Sequence, residues 1–102
     1  MEYDILLDDK VIPELTAIAA WYTSKSEAAA EKFETAFNWV LETLRTDIID
    51  YSSFTENIKR APVPDFPYFV YYSRNREILS VHIHAILHTK RGPDFLFQRL
   101  YE

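Results

Sequence analysis

The spacing of apolar residues changes near the middle of this 102-residue chain. Apolar residues recur at three- and four-residue intervals up to Arg45, as they do on one face of a helix. After Thr46, three prolines exclude another long helix, and apolar residues begin to alternate. Because a chain of this length usually forms one domain, we predict a single α+β domain over residues 1–102.

Two amphipathic helices are predicted in the first half of the chain. The first follows the Asp8-Asp9 pair, and the second opens with a capping box formed by Ser24 and Glu27. Their predicted buried residues are Val11, Leu15, Ile18 and Tyr22 in the first, and Ala30, Phe33, Phe37, Val40, Leu41 and Leu44 in the second. The connection is so short that the helices should form a hairpin.

Strands account for most of the remaining predicted structure. Tyr3–Leu7 is an opening strand, Phe54–Arg60 a weaker one, and Phe66–Ser73 pairs with Ile78–Leu87 in an antiparallel hairpin. Alternation in the last strand predicts one face made of Leu79, Val81, Ile83, Ala85 and Leu87. A short terminal helix is predicted from Phe95, Leu96, Arg99 and Leu100.

The composition excludes several classes of function. Cysteine is absent, which excludes disulfides, thiol nucleophiles and thiolate metal sites and favours a reducing compartment. No apolar run approaches the roughly 20 residues of a membrane span, and the acidic segment Met1–Asp4 lacks the basic head of a signal peptide. We therefore expect a cytoplasmic protein that does not contact a membrane.

The charge of the chain is unevenly distributed. The net charge is −5; residues 1–51 carry four basic and eleven acidic side chains, whereas residues 52–102 carry seven basic and five acidic ones. A basic footprint for nucleic acid is missing overall, so direct binding of nucleic acid is not expected.

The basic residues of the second half have two interpretations. Arg74 and Arg76 lie in a predicted hairpin turn, where solubility is a sufficient explanation. The pairs that flank the predicted sheet are Lys59-Arg60 and Lys90-Arg91. These pairs either converge into a patch that steers an acidic partner or serve as ordinary solvated charges.

Three histidines are the only candidate metal ligands with a suggestive spacing. His82, His84 and His88 occupy alternate positions of one predicted strand, so a facial cluster of imidazoles is conceivable. His88 lies where the strand should end, however, and the segment contains no carboxylate. The sequence thus favours histidines that face water, with no metal site and no other catalytic motif.

Several short motifs, taken in order, resemble the RelE/ParE superfamily of bacterial toxins. They are Tyr3–Leu7, Trp21-Tyr22, Ser26 with Ala28-Ala29-Ala30 and Phe33, Arg60, the segment Phe66-Pro67-Tyr68-Phe69-Val70-Tyr71-Tyr72, and His88, Arg91, Pro93 and Arg99. The resemblance covers nearly the whole chain. It implies a helical hairpin packed on one face of a twisted antiparallel sheet, followed by a short C-terminal helix.

The resemblance also implies a partner, because these toxins are neutralised by a cognate antitoxin that wraps around them. Aromatic residues make up 16% of the chain, more than one small core needs. The rings predicted to contact the antitoxin are Trp39, Tyr68, Tyr72, Phe95 and Tyr101. The alternative is that these rings are buried in the core. Of the aromatic residues that exceed the needs of a small core, we expect about half to be buried in this way.

The superfamily divides into two activities, and the residues favour one of them. RelE-like members cleave messenger RNA on the ribosome and commonly carry arginines at positions that here resemble Phe69 and Thr89. Neither side chain supplies the positive charge that the transition state requires. The resemblance therefore favours a ParE-like toxin that binds DNA gyrase without a catalytic residue or cofactor. Its predicted target-binding residues are Arg60, His88, Arg91 and Arg99. An RNA endonuclease and an inactive relative with an interaction role remain the alternatives.

Overall fold

The computed structural model of the protein describes residues 2–91 and 93–100. The elements, in chain order, are strand β1 (Asp4–Leu7), helices α1 (Val11–Lys25) and α2 (Glu27–Thr46), strands β2 (Ser52–Ser53), β3 (Lys59–Pro62), β4 (Tyr68–Asn75) and β5 (Ser80–His88), and helix α3 (Pro93–Leu100). The predicted α+β order is confirmed. The weak predicted strand around Phe54–Arg60 is replaced by two shorter strands, β2 and β3, joined by a turn.

Helices α1 and α2 form the predicted hairpin, but the boundary between them differs from the prediction. Ser26 is the N-cap of α2; its backbone is extended, and its hydroxyl accepts a hydrogen bond from the Ala29 amide at 3.0 Å. The predicted capping box at Ser24 and Glu27 is wrong because α1 continues through Lys25. Within that last turn, the Ser24 hydroxyl donates to the Trp21 carbonyl.

The buried stripes of the two helices agree with their apolar spacing. The buried members are Val11 and Ile18 in α1 and Phe33, Phe37, Val40 and Leu44 in α2. Leu15, Tyr22 and Leu41 are partly buried and pack against the same core. In the part of the chain that the structure describes, no helix combines the length and apolar character needed to cross a bilayer.

The five strands form one sheet in the order β1-β5-β4-β3-β2, and α1 and α2 cover one of its faces. Strands β2 to β5 are antiparallel neighbours, as the sequence predicts. Strand β1 instead lies parallel to β5 at the edge, because the helical hairpin carries the chain across the sheet before β5 is reached. The sheet is therefore mixed.

A bulge in β5 changes which residues share a face. Tyr71 lies opposite Ala85 and Tyr72 opposite Ile83, which leaves His84 as the extra residue. The single predicted face of β5 is consequently wrong beyond Ile83. Ala85 and Leu87 lie on the opposite face from Val81, Ile83 and Ile86, and pack with Tyr71 and with Leu96 of α3. Helix α3 thus covers part of the second face of the sheet.

Arg74 has a structural role that its position near a turn did not predict. Its side chain is only 9% exposed and donates a hydrogen bond to the Leu44 carbonyl at 2.9 Å, and it faces the Asp47 carboxylate at 3.4 Å. Because the last carbonyls of a helix lack intrahelical partners, this arginine helps to cap the C-terminal end of α2. Arg76, by contrast, is largely exposed and also pairs with Asp47.

Candidate functional site

A surface groove of about 690 Å³ runs between α1 and the turn that connects β5 to α3. We call it the α1 groove. Its lining comprises Glu14, Ala17, Ile18, Trp21, Tyr68, Ile86, Leu87, His88, Lys90, Arg91 and Phe95. Three separate parts of the sequence therefore meet here, and the helical hairpin and the sheet hold them in place.

Four residues selected from the sequence meet in this groove. Tyr68 and His88 are partners across β4 and β5, and their rings contact edge to face with centroids 5.5 Å apart. Arg91 and Phe95 follow from the turn and the first part of α3. His88 and Arg91 were predicted to bind the target, whereas Tyr68 and Phe95 were predicted to bind the antitoxin. The structure places both sets in the same groove.

Two exposed aromatic rings of the groove each have a cation above them. The Lys25 ammonium lies 4.3 Å from the ring centroid of Trp21, which is 56% exposed. The Arg91 guanidinium lies 4.2 Å from the ring centroid of Phe95. Such pairs combine apolar contact area with positive charge. The rim of the groove is therefore aromatic and basic at the same points.

Trp21 was noted in the sequence only as part of a motif, and its place in the groove was missed. It precedes Tyr22, the last member of the buried stripe of α1, and so falls on the neighbouring face of the helix. A tryptophan outside the buried stripe of an amphipathic helix is itself a signal of a binding surface. That signal was present in the sequence.

The main chain around the turn is already hydrogen-bonded. The Thr89 amide donates to the Pro67 carbonyl, and the Arg91 amide donates to the His88 carbonyl, both at 2.9 Å. The Lys90 amide donates to Nδ1 of His88 at 3.1 Å, so the proton of the neutral imidazole is assigned to Nε2. These bonds fix the side of the groove that carries Lys90 and Arg91.

Arg99 lies behind the groove rather than on its surface. Its side chain is 9% exposed, and it donates to the Glu14 carboxylate at 3.0 Å and to the His84 carbonyl at 3.1 Å. Asp8 lies 3.7 Å away. The prediction that Arg99 contacts a target is therefore corrected: the guanidinium is committed to holding α3 against α1 and β5.

The Glu14 carboxylate is the acidic group of the groove, and its charge is compensated. It accepts hydrogen bonds from Arg99 and from the Ile86 amide, the latter at 3.2 Å. Burial raises the pKa of Glu14, and these two contacts oppose that effect. Because Arg99 faces it directly, Glu14 does not give the groove an acidic character.

Arg60 lies outside the groove, on the second face of the sheet. Its guanidinium stacks 4.4 Å from the ring centroid of Phe69 and 5.5 Å from that of Phe54. The predicted patch formed by Lys59-Arg60 and Lys90-Arg91 is not formed in the groove, because only the second pair lines it. Arg60 therefore belongs to a separate aromatic surface.

The other aromatic residues predicted to bind the antitoxin are not in the groove. Trp39 is 48% exposed on α2. Tyr72 is 1% exposed within the core, where burial raises its pKa to about 12. This ring has no surface to offer a partner, so we correct its assignment to a core role. Tyr101 lies outside the described residues.

The three histidines do not meet at one place. The rings of His82 and His84 stack with centroids 4.5 Å apart, and Nε2 of His84 lies 2.8 Å from the Ser73 hydroxyl. His88 instead faces Tyr68 in the groove. Over residues 2–91 and 93–100, no three or more histidine or carboxylate side chains are placed to hold a metal ion.

His84 is expected to make stability depend on pH in the weakly acidic range. Burial lowers the pKa of His84, and the neighbouring His82 lowers it further. The folded state therefore favours the neutral form of His84. The unfolded chain takes up a proton at this histidine once the pH falls below about 6.5, the ordinary histidine pKa, so the folded state loses stability there. Between pH 7.5 and 5, the Tm of the parent should fall more steeply with decreasing pH than the Tm of His84→Gln. Equal slopes would contradict this assignment.

The comparison with known proteins is informative for solved structures. Neither the protein-family models nor the curated proteins compared with the sequence give a match. Among solved structures, the isolated RelE toxin of E. coli matches with a TM-score of 0.59 at 12% identity, over 97% of each chain. At this identity the similarity concerns the fold. The chain has the fold of the RelE toxin, as its sequence motifs predicted.

Proposed function

We propose that this chain is the toxin of a toxin–antitoxin pair, that it binds a target protein through the α1 groove, and that an antitoxin neutralises it by covering the same groove. One observation carries the proposal. Residues predicted separately for the target and for the antitoxin, represented by Arg91 and Phe95, line a single groove. A partner that fills the groove would exclude the target directly.

The residues at the two positions that carry arginine in RelE-like members favour protein binding over RNA cleavage. The Phe69 ring lies against Arg60, and Thr89 lies in the exposed turn after β5. An uncharged ring and a hydroxyl do not stabilise the negative charge that develops on a phosphate during cleavage. The net charge of −5 also disfavours docking on the ribosome, whose surface is rich in phosphate.

DNA gyrase is the target that the resemblance to ParE-like toxins implies. The purified chain should then inhibit supercoiling of a relaxed plasmid by gyrase. Arg91 is the main contributor we expect at the interface, because exposed arginines beside aromatic rings often dominate binding energy. An absence of inhibition would exclude gyrase as the target. It would not contradict the proposal that the groove is the binding surface.

Arg91→Ala should relieve growth arrest when the chain is expressed without an antitoxin. Loss of a central interface arginine typically costs about 2 kcal/mol, or roughly a 30-fold loss of affinity. Growth curves of induced cultures measure the effect, with soluble protein quantified in parallel. Trp39→Ala is the control, because Trp39, like Arg91, is exposed but lies outside the groove.

Two outcomes of this growth experiment would contradict the proposal. Arrest that persists in folded Arg91→Ala and Trp21→Ala variants would show that the groove does not mediate toxicity. Relief of arrest by Trp39→Ala, with both groove variants still toxic, would place the functional surface on α2.

An RNA endonuclease is the second candidate, and one feature favours it. Arg60 lies on a surface that also carries Phe54, Phe69 and Phe97, and the last of these is 40% exposed. Arginine on an aromatic platform is an arrangement that binds single-stranded nucleic acid. If this candidate is correct, toxicity should depend on Arg60 rather than on Arg91.

A further inference from the structure

We propose that Ser73 is a nucleophile that takes up the acyl group of a small activated ester, with His84 as its general base. The Ser73 hydroxyl lies 2.8 Å from Nε2 of His84, a distance at which the imidazole can accept the serine proton. The two residues are 11 positions apart in the chain, so no local motif indicates the pair. The inference goes beyond the proposed function, because neither residue lines the α1 groove.

The bulge in β5 produces this contact. Ser73 of β4 lies opposite His82, and Tyr72 lies opposite Ile83. His84 is the extra residue of the bulge, and its ring stacks on that of His82 with centroids 4.5 Å apart. Both imidazoles therefore lie beside Ser73, on the face of the sheet opposite to α1 and α2.

Two contacts hold the proposed base in position. The His82 ring stacks on the His84 ring, and Arg99 donates a hydrogen bond to the His84 carbonyl at 3.1 Å. Arg99 is itself only 9% exposed, so its position is fixed by packing. A base that is in place before the reactant arrives loses little freedom when it acts, and this favours proton transfer.

The surroundings of His84 favour the neutral imidazole, which is the form that accepts a proton. Burial lowers the pKa of His84, and the neighbouring His82 lowers it further. Arg99 of α3 also lowers this pKa, whereas the Asp8 carboxylate raises it. Glu56, in the turn between β2 and β3, lines the same surface depression as His84. The net direction is downward, so His84 is neutral at pH 7.5.

The Ser73 hydroxyl is accessible from a hollow at the β4–β5 hairpin. This hairpin hollow has a volume of about 700 Å³ and is lined by Ser73, Asn75, Ser80 and His82, among others. His84 lines a different depression, of about 390 Å³. A reactant in the hairpin hollow thus meets the serine oxygen, while the group that takes the proton lies outside the hollow.

Asn75 supplies a hydrogen-bond donor in the hairpin hollow. Its Oδ1 accepts hydrogen bonds from the amides of Glu77 and Ile78, at 3.0 and 3.2 Å, which leaves Nδ2 as a donor. Because Asn75 is two residues from Ser73 in one strand, the two side chains lie on the same face. Nδ2 is the donor available to a carbonyl oxygen on which negative charge develops. This polar setting favours a short acyl group over a long apolar one.

The reaction balances without a cofactor. Oγ of Ser73 bonds to the carbonyl carbon of the ester, the bond from that carbon to the leaving oxygen breaks, and the serine proton passes to Nε2 of His84. The leaving oxygen keeps the bonding electron pair and takes this proton, or departs as the anion while the imidazolium gives the proton to water. Attack of water on the acyl-serine then releases the acid and restores the hydroxyl.

p-Nitrophenyl acetate is the probe, used with the full chain at pH 7.5. Release of p-nitrophenolate gives the rate, and peptide mass mapping locates the acetyl group, which should be on Ser73. Ser80 lines the same hollow but has no imidazole partner among the residues that the structure describes, and it should stay unmodified. His84→Gln should slow acetylation of Ser73 about 100-fold, as expected when a general base is removed. Ser53→Ala, at an exposed serine outside the hollow, should react as the parent does.

The pH profile of the parent is a second measurement that needs no variant. Acetylation of Ser73 should proceed at a constant rate above about pH 6.5, the ordinary histidine pKa, and should fall at lower pH as His84 is protonated. A rate that instead rises about tenfold per pH unit from pH 6 to 8.5 would indicate attack driven by hydroxide, without a histidine base.

Other results would also overturn the inference. One is acetylation confined to lysines, with none on Ser73. Another is unchanged release of p-nitrophenolate in Ser73→Ala, which would make another group the nucleophile. A third is equal acetylation of Ser73 in the parent and in His84→Gln, with the fold of the variant verified by circular dichroism. If His84→Gln does not fold, the pH profile of the parent decides.

Discussion

Replacing Arg99 with alanine is expected to lower the free energy of unfolding by about 3 to 5 kcal/mol, the usual cost of removing one partner of a buried ion pair. Arg99 is 9% exposed and joins α3 to α1 through Glu14 and to β5 through the His84 carbonyl. Its removal leaves the half-buried Glu14 carboxylate without its countercharge. Urea denaturation of the parent and the variant measures the difference.

Arg91→Ala is the matched control for this experiment, because Arg91 is exposed and its contact with Phe95 lies at the surface. Its effect on stability should stay below about 1 kcal/mol. A double-mutant cycle with Glu14→Gln should show coupling between Glu14 and Arg99. If Arg99→Ala is no more destabilising than Arg91→Ala, Arg99 does not anchor α3, and its assignment to the target-binding surface would have to be restored.

Phe33→Ala should destabilise the protein by about 3 to 5 kcal/mol, which is typical when a large aromatic side chain is removed from a core. Phe33 is 3% exposed, and its ring contacts the rings of Tyr22, Phe37, Phe66 and Tyr68. Glu34→Ala, at the next and exposed position of α2, should change stability by less than about 0.5 kcal/mol. If both variants lose a comparable amount of unfolding free energy, this aromatic cluster does not stabilise the packing of the helical hairpin on the sheet.

The helices were predictable because burial repeats along them with the period of the helix itself. Phe33, Phe37, Val40 and Leu44 follow that period and are all buried. The boundary at Ser26 was misplaced because Ser24, two residues earlier, offers the same hydroxyl chemistry, and only the hydrogen bonds distinguish the two. The local sequence thus predicts the existence of an element more accurately than its boundaries.

The face of β5 was predicted incorrectly because the apolar pattern is ambiguous after His84. Apolar residues alternate from Leu79 to Ala85, but Ala85, Ile86 and Leu87 are all apolar, so the sequence does not show which of them continues the first face. In the structure, His84 is an extra residue that rotates Ala85 and Leu87 to the other face. The parallel placement of β1 is likewise decided by the path of the chain over the sheet. Both features depend on pairing between distant segments.

The candidate site was predictable in its residue types but not in the assignment of each residue. His88, Arg91, Tyr68 and Phe95 were selected from the sequence and do meet. Arg99 has the same chemistry as Arg91, yet it is buried because Glu14, 85 residues earlier in the chain, faces it. No local pattern encodes that long-range pair. Exposure, rather than residue type, separates the arginines that can reach a partner from those that hold the fold.

If this chain acts by binding a protein and not by cutting RNA, messenger RNA should stay intact in the cells that it arrests. Primer extension on messenger RNA from growth-arrested cells, and from a ribosome-containing translation extract supplied with the purified chain, measures this. Full-length transcripts are expected in both samples, at a concentration of the chain that arrests growth. New 5′ ends that appear within translated regions and disappear with Arg60→Ala would contradict it.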